Sequence, residues 1–181
     1  MQKLKFTEIQ RIAPRALAEA VRHPIVVVIE NVRSAYNVGS ILRTCDAALV
    51  ERVIVTGYTP SPDHPKVRKT ALGAETTIPW EAAPDIRRVV DQLKADGFLV
   101  AALEITDHPT LIEELAMQHF PLALIVGNEV SGLTDEAIDL ADLAIEIPQY
   151  GSKQSLNVAV ALGIAVMGAV EQFRRIRPRH P

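Results

Sequence analysis

Short runs of apolar, often β-branched residues recur along this chain, and the segments between them have the pattern of helices. The runs occupy residues 25–30, 52–56, 98–103, 122–126 and 143–147. Each has the length of a buried strand. Strands that alternate with helices predict a parallel sheet covered by helices on both faces, the α/β class. The 181 residues suffice for a single domain, 1–181, and are too few for two domains of ordinary size.

Caps, prolines and glycines set the expected bounds of the other elements. The predicted helices are 38–49, 84–97, 111–117, 135–140 and 155–174, and a weak strand is predicted at 76–78. Residues 1–24 are predicted to be a helical extension, because Thr7 and Gln10 have the spacing of a capping box. Residues 171–181 are predicted to be a basic tail.

Composition excludes several classes of protein. The most apolar stretch, 156–170, contains two glycines and is shorter than the roughly 20 residues that a membrane span needs. The N-terminus also has no signal-peptide core, so we expect a cytoplasmic protein with no membrane partner. Cys45 is the only cysteine, which excludes a disulfide within the chain. The five histidines lack ligand-like spacing, and we predict no metal site.

Charge is distributed unevenly, although the net charge is only −3. Residues 1–75 carry a net +4, residues 76–150 a net −11 and residues 151–181 a net +4. Because a phosphate backbone responds to the charge of the face it touches, the two basic ends are compatible with an RNA partner. Ordinary variation of surface charge explains the same pattern equally well.

One loop has the glycine spacing of a nucleoside triphosphate site but not its chemistry. Residues 127–134 read GNEVSGLT, whereas a P-loop has Lys before the final Ser or Thr. Leu133 supplies no positive charge, and Glu129 would repel phosphates. We therefore expect no triphosphate site here. The fingerprint of a dinucleotide-binding loop is also missing after the first strand.

Three loops rich in Asn, Ser and Gly each follow a predicted strand. They are 31–44 (NVRSAYNVGSILRT), 125–133 (IVGNEVSGL) and 147–159 (IPQYGSKQSLNVA). In this order and at these separations, they resemble the three signature motifs of the SpoU/TrmH family of the SPOUT superfamily. The resemblance spans nearly the whole chain. It implies a Rossmann-like parallel-sheet domain with a C-terminal trefoil knot, and a homodimer that transfers a methyl group from S-adenosyl-L-methionine to a ribose 2′-hydroxyl of tRNA or rRNA.

The resemblance also implies roles for individual residues. Leu103, Gly127, Ile147 and Leu156 are expected to bind the cofactor, mostly through backbone groups. The expected catalytic residues are Asn37, Arg43, Glu129, Ser155 and Asn157. The RNA contacts are instead expected from the two basic segments of the chain, at Arg11, Arg15, Arg33, Lys153, Arg174 and Arg175.

Arg43 is the residue for which two roles are open. The family's motif arginine is often assigned as the base, but a guanidinium stays protonated in proteins. We favour Arg43 as a clamp for phosphate and for the developing alkoxide. Glu129 would then orient Arg43 or accept the proton itself.

Plainer interpretations of the same residues stay open. Asn37 is a possible N-cap of the helix that follows, and Ser155 and Asn157 are possible caps of the last helix. Tyr36 either stacks on a base or packs, and Cys45 is expected to be a packing residue. At the level of the whole chain, the alternatives are a non-catalytic RNA-binding protein with the same fold and a nucleotide-binding regulator.

The last predicted helix has an apolar stripe at helical spacing, which supports a homodimer. The stripe consists of Leu156, Ala159, Val160, Gly163, Ile164, Met167 and Val170. The alternative is that the stripe packs only within its own chain.

Overall fold

A parallel sheet forms the centre of the structure, a computed structural model that describes residues 1–5, 8–9, 12, 16–17 and 19–177. In the described part of the chain its strands are β1 (His23–Glu30), β2 (Val50–Thr56), β3 (Trp80–Ala83), β4 (Leu99–Leu103), β5 (Pro109–Leu111), β6 (Leu122–Val126) and β7 (Leu143–Glu146). They lie in the order β3-β2-β1-β6-β4-β7-β5, and every neighbouring pair is parallel. The predicted parallel sheet is confirmed.

Five α-helices of the described residues cover both faces of this sheet. They are α1 (Ala35–Ala47), α2 (Pro65–Ala71), α3 (Ile86–Ala95), α4 (Asp135–Leu140) and α5 (Val158–Ile176). Side chains of β1 alternate between two cores: Ile25 and Val27 pack with α1, α2 and α5, whereas Val26 and Val28 pack with α3 and α4. Burial of each such side chain contributes about 1.5–3 kcal/mol. The strand is therefore apolar on both faces, as a central parallel strand requires.

Two predicted elements are wrong, and both lie near an edge of the sheet. Residues 74–76 form a 3-10 turn, and the strand of this region begins only at Trp80. Residues 111–117 do not form a helix: β5 ends at Leu111, and single 3-10 turns follow. Such short elements are held by the neighbouring strand and have no periodicity of their own.

The ends of several helices also differ from the prediction. Helix α1 begins at Ala35 with Ser34 as its N-cap, so Asn37 is not the cap. Helix α5 begins at Val158, and its N-cap is Asn157; Ser155 precedes the helix. Helix α2 was not predicted as a helix at all. It is a single short segment that starts at Pro65, with the side chain of His64 as its cap.

The N-terminal prediction is tested only in part. Thr7, Gln10, Arg11 and Arg15 lie outside the described residues. Residues 19–22 are described and are bends and irregular chain, so the helix expected there is absent. Among the described residues, no helix combines the length and the apolar character that a membrane crossing requires.

Candidate active site

Three loops meet at the carboxyl edge of the sheet, the edge at which open α/β sheets bind ligands. They follow β1, β6 and β7, the strands that end in the three predicted motifs. β1 and β6 are neighbours, with Ile29 opposite Val126, and β4 lies between β6 and β7. The fold therefore brings the first loop next to two loops that follow it by about a hundred residues in the chain.

A buried carboxylate fixes the position of the loop after β6. Glu30, at the end of β1, is 2% exposed. One of its oxygens accepts the hydroxyl of Thr134 at 2.7 Å, and the other accepts the Thr134 N–H at 3.1 Å. Thr134 in turn caps α4 by accepting the N–H of Ala137. Strand β1 is thereby tied to the start of α4.

Glu129 joins the second motif to the first. Its carboxylate accepts the backbone N–H groups of Arg33 at 3.0 Å and Ser34 at 2.9 Å, and the side-chain amide of Asn37 at 2.9 Å. These donors lie at the start of α1, where backbone N–H groups have no helical partner and negative charge is favoured. Glu129, which follows β6, therefore stabilises the N-terminus of α1, the helix that follows β1.

The side chain of Asn37 continues this chain of hydrogen bonds into the third motif. Its oxygen accepts the side-chain N–H of Asn157 at 3.2 Å. The oxygen of Asn157 accepts the N–H groups of Ala159 at 3.0 Å and Val160 at 3.4 Å, at the start of α5. Each amide has only one orientation that satisfies both of its partners. The network Glu129–Asn37–Asn157 thus links all three motifs.

The pKa of Glu129 reflects this network. Partial burial alone would raise the pKa, but the hydrogen bonds from backbone N–H groups, chiefly that of Arg33, and from Asn37 outweigh burial and lower it. A carboxylate with a lowered pKa and so many donors is a weak proton acceptor. Glu129 forms no hydrogen bond or ion pair with Arg43 among the described residues, so the expected orientation of Arg43 by Glu129 is not seen.

Arg43 and Ser155 are free of such contacts. Arg43 is exposed on α1, on the same side as Tyr36 and Ser40. Within the described part of the chain, its guanidinium has neither a hydrogen bond nor an ion pair. Ser155 is exposed in the loop before α5, and its hydroxyl is not hydrogen-bonded to a described residue. Both side chains are available to a bound substrate.

A cavity of about 420 Å³ opens beside the network. All four residues expected to bind the cofactor line it, namely Leu103, Gly127, Ile147 and Leu156. Glu129 and Ser155 also belong to its wall, so the cavity and the network share residues.

Close contacts of backbone shape the cavity wall. A Cβ on Gly127 would collide with the backbone of Gly132 and Leu133. Asn128 and Gly132 exchange backbone hydrogen bonds at 2.9 and 3.0 Å, which closes a tight turn. Gly132 has φ +70°, a conformation that glycine adopts at little cost. The glycines of the second motif therefore fit the turn itself.

Residues 24–167 match the model of the SpoU rRNA Methylase family. The chain belongs to this family. The resemblance found in the three loops is thereby confirmed.

Curated relatives of this SpoU-family chain include RNA methyltransferases of two kinds. The tRNA (guanosine(18)-2′-O)-methyltransferase of Thermus thermophilus is 34% identical over 148 residues, which are 82% of this chain and 75% of that protein. The 23S rRNA (guanosine-2′-O-)-methyltransferase of Pseudomonas putida is 33% identical over 151 residues, 82% of this chain and 59% of that protein. The chain thus spans less than two thirds of the latter relative.

Solved structures show the same fold. The TrmH/SpoU tRNA modifying enzyme of A. aeolicus superposes with a TM-score of 0.78 at 29% identity, covering 90% of this chain and 81% of that one. The AdoMet-bound rRNA methyltransferase of Sinorhizobium meliloti gives a TM-score of 0.76 at 29% identity, covering 93% and 63%. The α/β fold class is confirmed, and the C-terminal knot stays a prediction.

Four of the residues expected to bind RNA in this SpoU-family chain, Arg33, Lys153, Arg174 and Arg175, lie in the described part, and these four do not form one cluster. Arg33 is exposed beside the network, and Lys153 is exposed in the loop before α5. Arg174 and Arg175 lie near the far end of α5, about 26 Å along the helix from Asn157 at 1.5 Å per residue. Arg175 also pairs with Glu171 at 3.4 Å.

Sequence reasoning missed Glu104, which lines the cavity directly after β4. Its carboxylate accepts the N–H of Leu133 at 3.1 Å and that of Ile105 at 3.0 Å. A Cβ on Gly132 would collide with it. Its place at the carboxyl end of a predicted strand was the available signal.

Cys45 has the packing role that was expected of it. The thiol is buried in the core that contains α1. Burial raises its pKa well above the ordinary range, and the nearby charge of Asp46 adds to the rise. A thiol that stays protonated is no nucleophile. Among the described residues, no group of three or more His, Cys, Asp or Glu is placed to hold a metal ion.

Proposed function

We propose that this chain transfers the methyl group of S-adenosyl-L-methionine to a ribose 2′-hydroxyl of tRNA or rRNA. The observation that carries the proposal is the network Glu129–Asn37–Asn157, which joins the three motifs beside a cavity lined by all four expected cofactor residues. The named activities of the Thermus thermophilus and Pseudomonas putida relatives support it.

The cavity fits S-adenosyl-L-methionine better than a nucleotide phosphate. Leu103, Ile147 and Leu156 offer an apolar wall for the adenine. The charged residues that line the cavity are all acidic: Glu104, Glu129, Asp135 and Glu146. This charge favours a cation and repels phosphates. When bound, the cofactor supplies an activated methyl group on a sulfonium.

The chain's own residues then have distinct tasks. Arg43 binds the RNA phosphate and stabilises the negative charge that develops on the 2′-oxygen, because a guanidinium is a cation with a planar set of donors and that of Arg43 has no hydrogen-bond or ion-pair partner among the described residues. Ser155 offers a free hydroxyl to the ribose. Asn37 and Asn157 hold the loops in place, and Glu129 acts as their anchor. Solvent is the simplest proton acceptor, because the pKa of Glu129 is lowered.

We also propose that the chain acts as a homodimer through the exposed side of α5. Val160, Ile164 and Met167 are 44–52% exposed along one side of this helix, and Leu156, which precedes the helix and also lines the cavity, is 41% exposed. The apolar stripe predicted from the sequence includes residues that pack within their own chain. Val170 is buried in the core of its own chain, and Gly163 faces Thr44 of α1. The four exposed residues are the better candidates for the dimer contact.

Calorimetry and single-turnover assays test the activity. S-adenosyl-L-methionine should bind, ATP should bind weakly or not at all, and labelled methyl groups should appear on ribose of tRNA or rRNA fragments. Cofactor binding without transfer to any RNA would favour a non-catalytic RNA-binding protein. Saturable ATP binding without cofactor binding would refute the methyltransferase proposal and favour a nucleotide-binding regulator.

Light scattering tests the assembly. The mass should be about twice the 19.8 kDa of one chain. Ile164→Glu should give a monomer, because it places a charge in the apolar contact, whereas Glu171→Gln on the same helix should not. A wild-type monomer at micromolar concentration would contradict the dimer.

A further inference from the structure

We propose that one surface of this chain, here called the α2 face, docks an unpaired strand of the RNA substrate. The α2 face consists of Arg33, Tyr36, Tyr58, Lys66, Arg68 and Lys69. The proposal rests on the proposed function for the identity of the substrate. It adds where the strand lies and which form of RNA is bound.

Helix α2 presents positive charge that is not paired with an acid in the described part of the chain. Lys66, Arg68 and Lys69 are exposed, and none forms an ion pair with a described residue. The nearest acids in the sequence, Asp63 and Glu75, form no ion pair with them. Helix α3 differs, because its Arg87 pairs with Glu136 at 2.8 Å and its Lys94 with Asp142 at 2.6 Å. Unpaired surface cations are suited to phosphates.

The packing of α2 places this charge beside α1, the helix that carries Arg43. Gly39 of α1 lies against α2, and a Cβ there would collide with the Val67 carbonyl and the Thr70 hydroxyl. The Thr70 hydroxyl donates to the carbonyl of Tyr36 at 3.0 Å. On α1, the exposed positions Tyr36 and Arg43 lie between the α2 side and the α5 side, on which Thr44 contacts Gly163. Helix α2 therefore flanks Arg43 on one side, and the proposed path of the strand from Arg43 runs along α2.

Two residues of the α2 face, Tyr36 and Tyr58, have aromatic side chains that are exposed to solvent. Tyr36 is 51% exposed and Tyr58 is 60% exposed, so Tyr36 does not pack into the core. Tyr58 is held in place, because its N–H donates to Asn31 at 3.3 Å and its hydroxyl accepts the amide of Asn128 at 3.0 Å. Exposed aromatic rings are stacking surfaces for bases, and single-stranded RNA offers unpaired bases that can stack on them.

The cations of the α2 face are better placed than those of the C-terminal end. Arg174 and Arg175 are separated from the network by most of the length of α5. Helix α2 instead contacts the helix that carries Arg43, and Arg33 lies next to the carboxylate of Glu129 through its own N–H. Cations and stacking rings together identify the occupant as single-stranded RNA.

Fluorescence anisotropy with a labelled, unstructured 12-nucleotide RNA tests the cations. The variant Lys66→Gln, Arg68→Gln, Lys69→Gln should lose at least about tenfold in affinity, and the slope of log affinity against log salt should fall by about 2, at ~0.7 per lost phosphate contact. The matched control is Arg87→Gln, Arg88→Gln, Lys94→Gln on α3, at the other face of the sheet. It removes the same charge and should change affinity less than about twofold. Equal losses in the two triple variants would overturn the proposal.

Tyr36→Ala tests the stacking. It should weaken binding of the single strand about 5- to 100-fold with an unchanged salt slope, and Tyr36→Phe should restore binding. A 12-base-pair RNA duplex should bind more weakly than the single strand; a duplex that binds as tightly would overturn the proposal. Calorimetry with S-adenosyl-L-methionine on the same proteins separates the two ideas. A wild type that lacks cofactor binding refutes the proposed function, whereas normal cofactor binding with RNA affinity independent of α2 refutes this inference alone.

Discussion

The polar side chains of helix α1 differ in their hydrogen bonding between the start of the helix and a position almost two turns later. Asn37 is hydrogen-bonded on both sides, to Glu129 and to Asn157. Arg43, six residues further on, has no partner among the described residues. The protein thus commits some polar groups to its own architecture and leaves others for a ligand. The difference predicts which substitutions damage the fold and which damage only the chemistry.

The largest effect is expected at Arg43. Arg43→Ala should slow methyl transfer about 10²- to 10³-fold, because it removes the charge that stabilises the 2′-oxygen. The melting temperature and the affinity for S-adenosyl-L-methionine should not change, since the guanidinium forms no hydrogen bond or ion pair with a described residue. Single-turnover assays, thermal unfolding and calorimetry measure the three quantities. A melting temperature several degrees lower would contradict the view of Arg43 as a free group.

Arg43→Lys separates a clamp from a base. As a clamp, the arginine acts through a planar fork that lysine lacks. The variant should then be slow at every pH, because a rise in pH only removes the charge of the amine. As a base, a lysine amine is much easier to deprotonate than a guanidinium, and the rate should recover as pH rises. Single-turnover rates from pH 7 to 10 decide between them, and alkaline recovery would refute the clamp.

Glu129→Gln tests the residues that are hydrogen-bonded within the protein, the network Glu129–Asn37–Asn157. The substitution removes the negative charge at the start of α1 and weakens three hydrogen bonds, so the free energy of unfolding should fall by about 1–2 kcal/mol. Methyl transfer should also slow, because Asn37 and Asn157 lose their anchor. Glu136→Gln, which breaks a surface ion pair with Arg87, is the control and should cost less than about 1 kcal/mol. Equal losses of stability in the two variants would contradict the network.

The smallest effect is the dependence of that stabilisation on pH. The folded-state pKa of Glu129 lies below its ordinary value of 4.5. Its contribution is therefore fully present above pH 4.5 and is lost as pH falls through the lowered folded-state value. Urea unfolding of wild type and Glu129→Gln should give a constant difference near neutral pH that shrinks in acid. A difference that grows in acid would reverse the sign of the argument.

The sequence predicted the central elements of the fold more accurately than the edges. β6 and α4 have the predicted bounds, because each has a clear pattern and a clear boundary signal. β3 was misplaced and β5 was not predicted as a strand, since strands of four and three residues depend on hydrogen bonds from a neighbour rather than on their own side chains.

Much the same division applies to the site. The three loops were predicted, as were the four expected cofactor residues that line the cavity, because residue types and strand ends are visible in the sequence. The hydrogen-bond partner of Glu129 was not predicted. Asn37 is 92 residues away from Glu129 in the sequence, and no local pattern distinguishes Asn37 from Arg43 as that partner. The contribution of α2 to the surface was also missed, because its place depends on the close approach at Gly39.

The hydrogen bond between Asn37 and Asn157 spans 120 residues of sequence. During synthesis, the first motif therefore leaves the ribosome well before its partner exists. The loops can assume their final arrangement only after α5 has emerged and docked against α1. Nascent chains that lack α5 should consequently be inactive, so that competence for chemistry is acquired only once α5 has been synthesised and has docked.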